Sequence, residues 1–486
     1  MIRTRAIIKY LGYVLLFNAL FLFISAAISF VLGEKSLNAL LFSAVLCTVL
    51  GIFPQIFVEK IDSIGFHEGM TISVLGWIAT CIAGMIPYLI WGGEFTFTNA
   101  LFESISGYTT TGSTILSNVE AQPKGILFWR ASTHFIGGVG IILFVLLILP
   151  NARGARSSIY KTEVSGLSML NFKIHPRQIG KTITLVYLSL NIAETLILWM
   201  LGMNLFDAVC HSFATIATGG FSTKNLSIAA YNSVWIEIVI SVFMLLGGMH
   251  FGLLYATFKG DKNNIFRSKV VRYYLLIILI GIVFVAFKLA SENLYGWWES
   301  LRNASFQVIS LVTTTGFATV DTTTWPMFTI VILTYFSIQC AMVGSTTGGL
   351  KFDRVYLFHK TFLRQIKQIQ HPSGVYITKM DNTTITPEME IQTLVYIIIY
   401  ILILLISTLA LSAMNIDGMT SFSASFATLG TVGPGFGEVG SLDNFGALPN
   451  AAKYILSVNM LLGRLEIMNI FVLLLLISKK EFKIVQ

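Results

Sequence analysis

The chain has 486 residues, of which 55% are hydrophobic and only 12% charged, with a mean hydropathy of +0.76. Soluble domains carry roughly a quarter charged residues, so this composition excludes an ordinary water-soluble fold and indicates a polytopic membrane protein. The formal charge of +8 sits on lysines and arginines placed between apolar runs, a pattern of membrane topology, so no nucleic-acid partner is expected.

Apolar runs of about 20 residues, the length a helix needs to cross the hydrocarbon, lie near 10–32, 37–58, 70–91, 129–149, 180–202, 234–256, 272–290, 326–349, 391–414 and 453–477, which predicts ten spans. The first is read as structure and not as a cleaved signal, because a second apolar run follows almost at once and no small-residue cleavage site is evident. With the N-terminus in the cytosol, Arg3, Arg5, Lys9, Lys60, the basic residues of 153–177, 259–272 and 351–379, and Lys479, Lys480 and Lys483 all fall on one side. Both termini are therefore expected to be cytosolic. The opposite face keeps Glu94, Glu120, Glu292, Asp321, Glu438 and Asp443. Cys47, Cys81, Cys210 and Cys340 lie in apolar stretches without metal-ligand spacing, and the seven histidines are scattered. The cysteines read as packing residues, and no cofactor is expected.

A repeat runs through these spans. After a leading hairpin over 10–58, the order span, short amphipathic stretch, Thr/Gly-rich turn, span recurs four times. The short stretches cover about 98–109, 206–217, 299–313 and 419–430 and cannot cross a bilayer. A half-length helix followed by irregular backbone is tolerated at membrane depth only when buried in protein or lining a water-filled cavity. The turns read Thr110-Thr111-Gly112, Thr218-Gly219-Gly220, Thr314-Thr315-Gly316 and Thr431-Val432-Gly433. Residues 213–220 align without gaps to 426–433, and Gly220-Phe221-Ser222-Thr223 matches Gly316-Phe317-Ala318-Thr319, which puts Gly220 in register with the other closing glycines. The span after each turn breaks with glycine, at Gly137-Gly138, Gly247-Gly248, Gly344 and Gly463. The expected fold is an all-α integral membrane protein: a two-helix hairpin (1–66), then four tandem helix–pore helix–helix repeats at 67–152, 153–262, 263–370 and 371–486, with pseudo-fourfold symmetry around one pore.

Thr-Val-Gly heads the loop whose backbone carbonyls replace the water shell of a potassium ion in channels, where four copies surround one axis. Here one polypeptide carries all four copies. Glycine tolerates the positive φ that lets such a loop aim its carbonyls inward, the threonines add hydroxyl oxygens, and the C-terminal ends of the short helices favour a cation. A potassium ion is thus expected at these four segments, as cargo. Gly435-Phe436-Gly437-Glu438-Val439-Gly440 has dinucleotide-binding spacing, but no strand precedes it and no βαβ unit encloses it. No HExxH, GxSxG or Walker-type sequence is present, and the chain is not expected to be an enzyme.

With these residues in place, the chain resembles the membrane subunits of Trk-type potassium transporters, the TrkH and TrkG family, in a superfamily with Ktr and the plant HKT proteins. The resemblance covers nearly the whole chain. Beyond the four filters it rests on Phe102-Glu103-Ser104-Ile105-Ser106-Gly107-Tyr108-Thr109, on Ile136-Gly137-Gly138-Val139-Gly140, on Gly344-Ser345-Thr346-Thr347-Gly348-Gly349-Leu350-Lys351 and on Gly463-Arg464-Leu465-Glu466. It departs at Thr431-Val432, where many relatives carry Asn-Val. The leading hairpin favours Trk over Ktr. The resemblance implies gated potassium uptake across a bacterial inner membrane, a homodimer, and a cytosolic ring of nucleotide-binding TrkA-type regulatory subunits. The alternative is a sodium-coupled or sodium-permeable Ktr/HKT-like transporter; some HKT proteins place serine at the first filter glycine and pass sodium, and Gly112 argues against that.

Charged groups inside a span cost a few kcal/mol and face a bundle interior or a water path. Arg464 is such a group. By resemblance it sits under the filter and forms a gate with Gly344, Ser345, Thr346, Thr347, Gly348 and Gly349, whose composition makes poor helix and which would break the third repeat's second helix into an intramembrane loop. The other reading is that Arg464 pairs with Glu466 or a neighbouring acid and anchors the bundle. Glu103 either scaffolds the first filter or stabilises cations at its mouth. The basic loops 151–178, 259–271 and 351–390 offer a docking face for a regulatory subunit, or serve as topology determinants in contact with membrane lipid headgroups.

Overall fold

The computed structural model describes residues 3–59, 64–140, 176–261, 264–381 and 383–478. Lys60, Arg153, Arg156, Lys161, Lys173, Lys262, Lys479, Lys480 and Lys483, and the part of the 129–149 run beyond Gly140, lie outside the described residues.

The chain opens with a hairpin of α1 (Thr4–Val31) and α2 (Leu37–Phe57). A Cβ at Gly12 would meet the Gly51 carbonyl and one at Gly51 the Gly12 carbonyl, so the two backbones touch, as small residues permit between membrane helices. Next come α3 (Phe66–Trp91), α4 (Phe97–Tyr108) and α5 (Lys124–Val139), then α6 (Pro176–Met200), α7 (Leu205–Ile216), α8 (Val234–Gly248) and α9 (Phe251–Phe258). They are followed by α10 (Lys269–Ser291), α11 (Trp297–Val312), α12 (Met327–Gln339) and α13 (Phe352–Gln370). After a two-residue antiparallel pair, β1 (Lys379–Met380) with β2 (Thr383–Thr384), the chain ends in α14 (Pro387–Ser412), α15 (Gly418–Leu429), α16 (Asn450–Arg464) and α17 (Ile467–Ser478).

Six of the described helices are long and apolar enough to cross a membrane, or seven when the bent pair α8 and α9 counts as one. The remaining apolar runs are broken among the described residues, as the glycines after each filter predicted. After Gly248 the chain turns by 107° into α9, α12 stops at Gln339, and α16 stops at Arg464 before α17 resumes. The third break comes earlier than the expected Gly344, at Cys340, whose φ is +59°.

Broken helices leave peptide groups without their own partners, and in this protein the breaks satisfy one another. The N–H of Met342 donates to the Gly248 carbonyl (3.1 Å), that of Thr346 to Gly247 (3.4 Å) and that of Gly349 to Gly463 (3.0 Å), while the Gly344 carbonyl accepts from Phe251 (3.0 Å). Val343 N–H donates to the buried Asp353 carboxylate at 2.7 Å. Residues 340–351 are therefore irregular backbone enclosed by protein, the condition under which such backbone survives at membrane depth.

Candidate ion pathway

Three short helices, α4, α7 and α15, have 12 residues and α11 has 16. At 1.5 Å per residue they span about 18–24 Å, less than the roughly 30 Å of hydrocarbon. Side-chain caps start three of them: Thr96 accepts from Asn99 N–H, Asn204 from Asp207, and Asp417 from Met419 and Thr420.

All four end alike. Beyond each last turn a threonine adopts the left-handed region: Thr110 (φ 53°), Thr218 (55°), Thr314 (56°) and Thr431 (52°). The next N–H then reaches back into the helix, Thr111 to the Ser106 carbonyl (2.9 Å), Gly219 to Ala214 (2.7 Å), Thr315 to Ser310 (2.9 Å) and Val432 to Ala427 (2.8 Å). This is the Schellman arrangement with threonine where glycine is usual. A β-branched residue there costs about 1–3 kcal/mol and persists only where its surroundings impose it. After one residue of ordinary φ come Gly112 (84°), Gly220 (76°), Gly316 (76°) and Gly433 (97°). Alternation between the two hands of backbone turns successive peptide dipoles to one side, which a plain strand does not do.

The four loops close on one another. A Cβ on Gly112 would overlap the carbonyl oxygen of Gly219, one on Gly220 that of Thr315, one on Gly316 that of Val432, and one on Gly433 that of Thr111. The contacts run from first loop to fourth and back to the first, a ring with no room for a side chain at any glycine. The same four glycines line one cavity together with Arg130, Lys224 and Asp443. The left-handed threonines are fully buried. Thr110 and Thr218 hydroxyls donate to the carbonyls of Thr109 and Ala217, both at 2.7 Å, while those of Thr314 and Thr431 have no partner among the described residues. Backbone carbonyls gathered in a ring are the kind of ligand set a dehydrating alkali cation takes.

Side chains behind the ring hold it. Glu103, fully buried, accepts from Thr114 Oγ1 (3.0 Å), Ile115 N–H (2.9 Å) and Arg130 Nε (2.5 Å). Its oxygens are spent on scaffolding, which favours that reading of Glu103. Arg130 also donates to the Ser222 carbonyl (2.9 Å) and lies 3.5 Å over the Phe221 ring. Sequence reasoning passed over Arg130, although an arginine inside an apolar run is a visible signal. In α7 and α11 the matching contacts come from His211 to Ser222 Oγ (3.0 Å) and from Gln307 to the Val320 carbonyl (3.3 Å). In α15 Ser423 donates to the Phe436 carbonyl at 2.8 Å.

The expected gate residues sit directly beneath. Thr346 Oγ1 donates to the Ile216 carbonyl (2.9 Å) and lies 3.3 Å from Thr218 Oγ1. A Cβ on Gly348 would overlap the Thr431 side chain, and Ser345 Oγ pairs with Thr347 Oγ1 at 2.7 Å. Arg464 donates to the Thr346 carbonyl and to those of Gly137 (2.5 Å) and Gly138 (3.3 Å). Its guanidinium thus bridges the 344–349 loop to the end of α5. The pairing of Arg464 with Glu466 is not the arrangement found: Glu466 receives Arg354 at 2.5 Å and Lys351 at 3.5 Å.

Of the outer acids, Asp443 reaches the glycine-lined cavity, whereas Glu94 accepts from Ser117 N–H (2.9 Å) and Asp321 from Thr323 N–H (2.9 Å). All four cysteines are free and buried.

Residues 41–484 match the family TrkH, described as cation transport protein. The chain is 36% identical over 412 residues to the Trk system potassium uptake protein TrkH of Escherichia coli (strain K12), a match covering 84% of this chain and 85% of that protein. To the Trk system potassium uptake protein TrkI of Halomonas elongata it is 31% identical over 480 residues, covering 97% and 96%. The crystal structure of the potassium transporter TrkH from Vibrio parahaemolyticus superposes with a TM-score of 0.86 at 30% identity, covering 97% of this chain and 98% of that one. Apolar helices and bacterial relatives together make this a multi-pass bacterial membrane protein. The chain belongs to the TrkH family of cation transport proteins.

Proposed function

We propose that this chain is the ion-translocating subunit of a Trk-type system and takes up potassium across a bacterial cytoplasmic membrane. The observation that carries the proposal is the closed ring of Gly112, Gly220, Gly316 and Gly433, each packed on the next loop's carbonyl. In this reading the segments 110–112, 218–220, 314–316 and 431–433 are the selectivity filter, contributed by repeats at 67–152, 153–262, 263–370 and 371–486 behind the 1–66 hairpin. The 344–349 loop and Arg464 form the gate below, because a fixed positive charge there opposes a permeating cation. The relatives are named potassium uptake proteins of a Trk system, which supports potassium as cargo here and partner subunits in the assembly. A homodimer carrying a cytosolic TrkA-type regulatory ring, basic cytosolic loops that meet it or anionic lipid, and cytosolic termini complete the proposal.

The test is rubidium uptake into proteoliposomes holding the purified chain, with potassium or sodium as competitor, beside Gly316→Ser. Competition by potassium alone, weakened in the variant, is expected. Equal competition by sodium overturns potassium selectivity, and no flux even with Arg464→Ala overturns the pore.

A further inference from the structure

The loop between α12 and α13 is pinned shut at its neck. Two hydrogen bonds join its ends: Phe352 N–H donates to the Ala341 carbonyl (2.8 Å), and Val343 N–H donates to Oδ2 of Asp353 (2.7 Å). Ala341, Val343, Phe352 and Asp353 are all buried. Residues 342–351 therefore hang from a closed base, as in other compact loops whose ends touch.

The chain enters and leaves this loop through the left-handed region. Cys340, directly after α12, has a φ of 59°, and Lys351, directly before α13, one of 69°. Neither is glycine. Residues with a Cβ keep such a conformation only where the surrounding structure imposes it, and they gather at switch regions. Residues at the ends of elements are also where a hinge absorbs its change in φ and ψ.

The carboxylate that closes the neck is not paired with the cations beside it. Lys351 and Arg354 go to Glu466, at 3.5 and 2.5 Å, and Arg354 lies 3.7 Å over the Tyr396 ring of α14. Asp353 belongs to the first turn of α13, and Phe352 beside it packs on Tyr274 of α10 with ring centroids 5.2 Å apart. One side of the neck is thus fixed to packed helices, and Asp353 fastens the other side to it. A buried amide that loses its acceptor is penalised, so without this carboxylate the loop would part at its base.

Away from the neck the loop rests on other helices. Thr346 N–H meets the Gly247 carbonyl, Gly349 N–H meets that of Gly463, and the Arg464 guanidinium meets the Thr346 carbonyl. Those contacts are the ones an opening must break, whereas the neck can be kept.

We propose that Asp353 is a positioning residue of the gate: its carboxylate closes the neck of residues 341–352, so that the loop lies across the ion path as one flap hinged at Cys340 and Lys351. The role in gating rests on the proposed uptake function; the closed neck does not.

The test joins hydrogen exchange, read by mass spectrometry on peptides spanning 340–353, to rubidium uptake with potassium or sodium as competitor. Purified full-length wild type, Asp353→Asn and Asp353→Leu are compared in proteoliposomes. Asn keeps a carbonyl acceptor of the same shape without the charge, and Leu has no acceptor. The expected result is slow exchange in wild type and Asn and exchange several-fold faster in Leu. Basal uptake is expected to rise several-fold in Leu and to stay near wild type in Asn. The ratio of potassium to sodium competition should be the same in all three, because the glycine ring is untouched.

An Asn variant that behaves as Leu overturns the proposal, since a charge in the first turn of α13 would then be what matters. Wild-type exchange and uptake in Leu also overturn it, and a changed competition ratio in Leu would mean damage to the filter and not release of a flap. If Leu does not fold, fast exchange across 341–343 in the wild type, or unequal exchange in wild type and Asn, overturns the neck. A protected neck that Leu loses, with no uptake in any variant or in Arg464→Ala, supports the neck and sinks the uptake reading instead.

Discussion

The imidazole of His134, on α5, lies against the backbone of Gly219 in the second filter loop, and a Cβ on Gly219 would overlap that ring. The ring also stacks on Phe221, with centroids 4.1 Å apart and planes at 17°. The other three loops carry Thr111, Thr315 and Val432 at this middle position. Only the second needs glycine there, because the histidine fills the space from behind.

Gly219→Thr should therefore overpack the second loop, at a cost of about 1–3 kcal/mol. His134→Ala opens the space, so the double variant should recover part of the loss, with a coupling of about 0.5–3 kcal/mol. Thermal denaturation of the four proteins in detergent measures the cycle. Strict additivity would show that the ring and the loop do not share this space.

Backbone strain and crowding can be separated with two glycines of positive φ. Gly220 (φ +76°) faces the Thr315 carbonyl, whereas a Cβ added at Gly202 (φ +98°) would meet nothing within 4 Å. Gly202→Ala bears the left-handed cost alone, about 1–2 kcal/mol, and should leave the ratio of potassium to sodium competition unchanged. Gly220→Ala must also displace a carbonyl of the ring and should lower that ratio at least several-fold in the proteoliposome assay. Similar ratios in the two variants would refute a role for the ring contact.

Arg464→Ala removes both the charge and the fork that joins the Thr346 and Gly137 carbonyls. Basal rubidium flux should rise. Arg464→Lys keeps a point charge but cannot span two carbonyl groups in the same geometry, and its flux should fall between wild type and Ala. If Lys and Ala conduct equally, geometry and not charge is what closes the path.

Glu466 is the shared partner of Arg354 and Lys351 at the break between α16 and α17. Neutralising it leaves two cations in a mostly enclosed site, and losses of about 3–5 kcal/mol follow from such uncompensated burial. Glu466→Gln should lower the melting temperature in detergent markedly, while Glu34→Gln, near the α1–α2 turn, should lower it less. Equal, small shifts would mean that the cations find other partners.

Local signals made part of this architecture legible in the sequence. The short helices, expected at 98–109, 206–217, 299–313 and 419–430, occur at Phe97–Tyr108, Leu205–Ile216, Trp297–Val312 and Gly418–Leu429. Capping residues such as Asn204 and Asp417 start them and Thr/Gly turns stop them, and both act within a few residues. The breaks after α8 and α16 fall at the expected Gly247-Gly248 and Gly463, whereas the break after α12, at Cys340 and not Gly344, was harder to see. Cys340 looks like any buried apolar residue, and its left-handed φ follows from the loop that must leave α12 to meet the carbonyls of Gly247, Gly248 and Gly463.

Composition and spacing by themselves determined that the chain is a helical membrane protein with four Thr/Gly turns in register, because hydropathy, helix length and glycine's tolerance of positive φ are properties of short stretches. Only the tertiary structure decided what those turns face. That each glycine packs on the next loop's carbonyl, that Arg464 reaches Thr346 and Gly137 and leaves Glu466 to Arg354, and that Glu103 spends its charge on Arg130 are all contacts between residues far apart in the chain. Such partners are chosen by packing, since a buried polar group must find whichever complement the assembled helices bring to it.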